Sequence, residues 1–158
     1  MPILIVILVI VSCKNTREGS EPSYSEQQAH LQEINRQTVE WHKRIVSEVK
    51  SFYTSLYILP IQTLEEQYLE IDSLIEESQT IISSLSPAET DSVFWKKSLL
   101  IFEFYDSAWE NNFKEMLLLM EEFESAGLDQ THKIQPLMDS VLMRESQLLK
   151  NWTDDQER

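Results

Sequence analysis

Eight positions between Ile61 and Leu85 constrain the fold more than any other feature of the chain. Ile61, Leu64, Tyr68, Ile71, Ile75, Ser78, Ile82 and Leu85 are separated alternately by three and four residues. That spacing draws one apolar seam along a helix packed against other helices. A strand cannot use it, because strand side chains change face at every residue. Ser78 is the one polar residue in the row.

The flanking sequence carries related stripes. Ser23, with Glu26 three residues on, has capping-box spacing, and from there Leu31, Ile34, Thr38, Trp41, Ile45, Phe52, Leu56 and Leu59 fall mostly on one face until Pro60. Ser86-Pro87 ends the seam segment, with Pro87 suited to the first turn of the next helix. A third segment sets Trp95, Leu99, Phe102, Trp109, Phe113, Met116, Met120 and Phe123 on one stripe and closes at Gly127, expected to be a C-cap. Phe94, Phe104 and Tyr105 lie off that stripe and are expected to pack on a second neighbour, with an exposed aromatic patch as the alternative. The fourth segment runs from Asp129 to Trp152, with Ile134, Leu137, Val141, Leu148 and Trp152 on one face and Met138, Leu142 and Leu149 widening it. Pro136 places the start of this helix near Gln135.

With only 2 glycines and 5 prolines in 158 residues there is little material for the turns of a β or α/β fold. The expected class is all-α: an antiparallel, up-down-up-down four-helix bundle, since connections of about two to five residues cannot return the chain to its starting end. The first and third segments are the longer ones, so an overhang at one end or a kink near Pro60 is expected. The alternative is a three-helix, spectrin-like bundle in which Pro60 only bends one long helix.

Residues Ile3 to Val11 are nine consecutive aliphatic residues. As a helix they reach about 13 Å, less than half of a ~30 Å hydrocarbon core, which suits a signal-peptide core and not a membrane span. The run ends in Ile10-Val11-Ser12-Cys13, and Cys13 is the single cysteine of the chain. This tetrad resembles the bacterial lipobox. The resemblance implies diacylglycerol on the Cys13 sulfur, cleavage between Ser12 and Cys13, and acylation, palmitate included, of the freed amine. The alternative is a plain apolar N-terminal helix with a buried thiol, which the lack of any polar face in residues 3–11 disfavours. No Lys or Arg precedes the run, so the positive n-region is either the initiator amine alone or lies upstream. Residues 14–23, KNTREGSEPS, read as a flexible tether. The expected organisation is therefore a signal peptide over 1–12, lipidated cysteine and tether over 13–23, a helical bundle over 24–153 and a polar tail over 154–158. Localisation follows as the bacterial cell envelope, anchored outside the cytoplasm at the outer membrane or cell surface.

Thirteen basic residues against 27 acidic ones give a net charge of -14, which repels phosphate backbones and excludes nucleic acid as a partner. Between Lys50 and Lys96 there is no basic residue, while Glu65, Glu66, Glu70, Asp72, Glu76, Glu77, Glu89 and Asp91 fall there. A solvated face that keeps the domain off an anionic bilayer explains this best; docking of a basic partner or loose calcium binding is the other reading. The pairs Glu65-Glu66, Glu76-Glu77 and Glu121-Glu122 are adjacent on helices, so each pair diverges by about 100 degrees instead of converging on a substrate.

Of the three histidines, none stands in the Glu-x-x-His pattern of a ferritin-type centre. Asp129-x-x-His132 is better explained by a helix N-cap, and Glu26 with His30 by a surface pair. No metal and no cofactor are expected. The serines Ser83, Ser84 and Ser86 have no histidine near them in sequence, and there is neither a Gly-x-Ser-x-Gly elbow nor a glycine-rich phosphate loop. No catalytic residue is assigned.

The lipobox, the tether and a helix end, proline turn and aromatic-rich helix over Leu85 to Tyr105 together loosely resemble the small, uncharacterised helical surface lipoproteins of Bacteroidetes and spirochaetes. The resemblance implies a non-catalytic interaction or structural module whose partners are the membrane, through lipid on Cys13, and an envelope protein of unspecified identity. The competing reading is a small-ligand or metal-binding bundle. Three or more carboxylates and histidines turned inward would favour that second reading, because buried charges persist only when paired or bound to an ion.

Overall fold

The computed structural model describes residues 24–85, 92–127 and 131–153. Within them run α1 (Tyr24–Ser55), α2 (Ile61–Ser84), α3 (Ser92–Ala108), a π turn (Trp109–Phe113), α4 (Lys114–Ala126), a short 3₁₀ turn (Thr131–Lys133) and α5 (Ile134–Thr153). Backbone angles stay helical from Ala108 through Lys114, so α3, the π turn and α4 make one rod. The described residues thus form four helical rods, the all-α four-helix bundle that the seam spacing calls for.

A full turn separates the first two rods. The amides of Ile58 and Leu59 both donate to Ser55 O at 2.9 Å, and Pro60 caps α2 in an extended conformation (φ -60, ψ 152). Proline lacks the N–H that would carry α1 onward, so α1 ends before it. This excludes the three-helix alternative and the kink at Pro60. Residues 121–127, the far end of the third rod, are all exposed. Gly127 closes α4 at φ 66, its amide donating to Phe123 O at 2.9 Å. The left-handed cap needs a residue without a Cβ penalty, as expected of this glycine.

The seam of α2 packs inward as its spacing requires. Leu64, Ile71, Ile75, Ser78 and Ile82 are buried, and the Ser78 hydroxyl is satisfied by donating to Ile75 O at 2.6 Å. The third rod lies against α1, α2 and α5 at once. Its buried face is therefore broader than one stripe: Ile101, Phe104, Tyr105, Ala108 and Leu119 are buried beside Phe102, Trp109, Phe113 and Met116. The off-stripe aromatics do pack on a second neighbour, since Phe94 stacks on Trp152 of α5 at 5.5 Å and Arg144 of α5 covers the Phe104 ring at 5.5 Å.

Two expectations need correction. Phe123 is exposed, although with Glu124 it lies beside the turn between α1 and α2. Leu142 is exposed as well; Val141 and Met138 take the inward positions beside it. Pro87, with Ser86, Glu89, Asp91 and Asp129, lies outside the described residues, as do the proposed N-cap Ser23 and the whole of the signal and tether sequence.

Candidate functional site

The seam between α2 and the third rod is filled by packed apolar and aromatic side chains. The pairing of α1 with α5 is held differently. At one level Tyr53 of α1 donates its hydroxyl to Gln135 Oε1 of α5 at 2.7 Å. Eleven residues back along α1, His42 lies 3.4 Å from Glu145 Oε1 of α5. The same oxygen accepts a short hydrogen bond from the Tyr105 hydroxyl of α3. Between the two brackets is an apolar trough of about 330 Å³. Its walls are Val46, Val49, Met138, Val141 and Leu142, Tyr105 forms part of its lining, and Glu145 closes one end.

The chain brings these three polar groups together from three helices for a reason visible in register. On α5, Ile134, Met138, Val141, Glu145, Leu148 and Trp152 follow the same alternating four-and-three spacing as the α2 seam. Glu145 thus occupies a core register position, where an apolar residue is the rule. Its side chain is 17% exposed and that of His42 is 21% exposed, so both are well shielded from bulk water. Tyr105 is buried.

Burial by itself would raise the Glu145 carboxyl, but the hydrogen bonds from His42 and Tyr105 and the charge of His42 outweigh it and hold the group below the ordinary carboxylate range. Tyr105 moves the opposite way: burial, then the Glu145 charge and its hydrogen bond, push the phenol far above its usual value. The result is a fixed anion whose phenolic partner stays a donor. Such an arrangement can hold a cation or a hydrogen-bond donor, and it offers neither an activated nucleophile nor a phenol able to give up its proton near neutral pH.

The other singled-out residues stand apart from this site. Glu65, Glu66, Glu70, Glu76, Glu77, Glu121 and Glu122 are exposed on α2 and α4, and Asp72 is half-buried. His132 is exposed on the 3₁₀ turn. His30 is half-buried, with its Nε2 enclosed and without a hydrogen-bond partner among the described residues. Ser83 and Ser84 are exposed, and the Ser84 hydroxyl donates to Ile81 O at 2.6 Å. No group of three His, Cys, Asp or Glu side chains able to hold a metal ion occurs among the described residues. The lipid-attachment and cleavage residues Cys13 and Ser12 lie outside them.

His42, Tyr105 and Glu145 were not assigned a role from sequence, although one signal pointed to them. A carboxylate at a seam position of α5, between Val141 and Leu148, breaks an otherwise apolar register. No protein-family model, curated protein or solved structure matches the chain.

Proposed function

We propose that this chain is a membrane-anchored lipoprotein of the bacterial envelope whose helical bundle is a non-catalytic interaction or structural module. The observation that carries the reading is the tetrad Ile10-Val11-Ser12-Cys13 placed directly after nine aliphatic residues and holding the only cysteine. Lipid on the Cys13 sulfur supplies the membrane contact, and residues 14–23 separate that anchor from α1. No helix among the described residues is long and apolar enough to cross a membrane. The bundle then offers helical faces, that of α2 acidic and without a basic residue, to an envelope protein. Among the described residues one carboxylate and one histidine, Glu145 and His42, converge inside the bundle, fewer than the three that would favour the metal-binding version of the competing reading.

The test is expression of the native chain and of Cys13→Ala in a bacterial host, with intact mass and metabolic labelling by palmitate as readouts. The native chain should lose its first twelve residues, gain the mass of its acyl groups and carry label. The variant should keep the precursor mass and remain unlabelled. A variant with the same mature mass as the native chain would end the lipoprotein reading.

A further inference from the structure

The α1–α5 trough is a binding site in its own right, and we propose that it takes an amphiphilic cation: an apolar chain or ring lying along the trough with an ammonium group on the Glu145 carboxylate. Four observations converge on that class. The volume of about 330 Å³ falls at the lower end of small-ligand pockets, typically ~300 to 1,000 Å³. The walls are largely aliphatic, and Leu142 leaves exposed apolar surface at the α5 edge, surface that an apolar guest would cover. Glu145 is the only carboxylate in the lining and is shielded from solvent at the trough's end. Finally, a net charge of -14 concentrates cations around the protein and repels anions.

The charge of the guest follows from what the protein already provides. Tyr105 and His42 both engage Oε1 of Glu145, so an ammonium group would take the second carboxylate oxygen and complete the pairing of a shielded charge. An alcohol of the same shape gains the apolar contacts and loses the ion pair. A carboxylate guest would have to use Lys50, the one cation in the lining, which is exposed and solvated on the rim. This inference does not depend on the lipid anchor, and either can fail without the other.

The experiment uses the full chain in nanodiscs of zwitterionic lipid, with empty discs as the reference for partitioning. Octylamine, octan-1-ol and octanoate are titrated by calorimetry at neutral pH. The amine should bind about tenfold or more tightly than the alcohol, as one ion pair shielded from water implies, and the carboxylate should bind most weakly. Glu145→Gln should bring amine and alcohol to equal affinity, and Val46→Trp, which fills the trough from α1, should remove binding of both; circular dichroism establishes that each variant is folded. Equal binding of the three probes by the native chain, tighter binding of octanoate, or no binding above empty discs would overturn the proposal without recourse to any variant.

Discussion

The α2–α3 seam and the α1–α5 seam are built on the same central rod and differ in what fills them. Between α2 and the third rod, Tyr68 and Trp109 stack at 4.9 Å and exchange hydrogen bonds, the Tyr68 hydroxyl donating to Trp109 O at 3.2 Å and the Trp109 indole to Tyr68 O at 3.1 Å. Phe52 and Phe113 close round the same indole at 5.1 and 4.6 Å. Burial, with the charges of Asp72 and Glu110, pushes the Tyr68 phenol up to about 12, so it remains a donor. Between α1 and α5, by contrast, polar pairs stand at the two ends and leave an apolar trough between them. The difference teaches that a register whose one polar member is a small serine satisfied within its own helix closes a helix seam, whereas one carboxylate in that register holds a seam open.

The largest effect should come from the closed seam. Trp109→Ala removes the ring on which Tyr68, Phe52 and Phe113 all pack and should cost about 3 to 5 kcal/mol in denaturant melts. A loss below 1 kcal/mol would mean that this cluster is not the keystone of the α2–α3 contact. Trp109 and Phe113, four residues apart at the two ends of the π turn, are both buried.

Register within the same seam is tested by a pair. Ile71 is 4% exposed and Leu69 is 63% exposed. Ile71→Ala should therefore cost about 2 to 4 kcal/mol and Leu69→Ala well under 1 kcal/mol. Equal losses would shift the α2 stripe and with it the packing of the bundle.

Tyr105→Phe probes the open seam and should cost about 1.5 to 3 kcal/mol, the worth of a hydrogen bond to a charged group, at neutral pH. That cost should depend on acid. Because the folded Glu145 carboxyl lies below its ordinary value, its contribution is full above the ordinary carboxylate range and is lost as the pH falls through the folded value. The gap between native and Tyr105→Phe melts should accordingly narrow below about pH 4. A gap constant from pH 7 to pH 3 would remove the carboxylate from the account. Smallest of all, Leu142→Ala at the trough's edge should change stability by about 0.5 kcal/mol or less, since that side chain is exposed.

These contrasts also mark what could be read from the chain. The α2 seam was legible because every partner of its eight positions is apolar or small, so register alone decides burial. The four rods followed from the same logic, and so did the cap at Gly127. The breadth of the third rod's buried face was not legible, because Ile101, Phe104 and Tyr105 are buried by neighbours distant in sequence and not by their own periodicity. Phe123 and Leu142 kept the helical period and yet reached solvent, since helix ends and the α1–α5 gap are properties of the assembled bundle. The site was half legible: Glu145 breaks a seam in plain view, but nothing in the sequence says that His42 and Tyr105, 103 and 40 residues away, meet it.

The central claim is that the Glu145 carboxylate is kept in the α5 register for a guest and not for the fold. The most direct measurement is the urea melt of the triple variant His42→Leu, Tyr105→Phe, Glu145→Leu, which replaces all three converging polar groups by apolar side chains. Shielded charges replaced in this way commonly leave stability unchanged or raise it, by about 1 to 4 kcal/mol. The account predicts a midpoint equal to or above that of the native chain, with the trough's preference for an amine abolished. A triple variant less stable by about 2 kcal/mol or more would contradict it, and would make the carboxylate a structural pin between α5 and its neighbours.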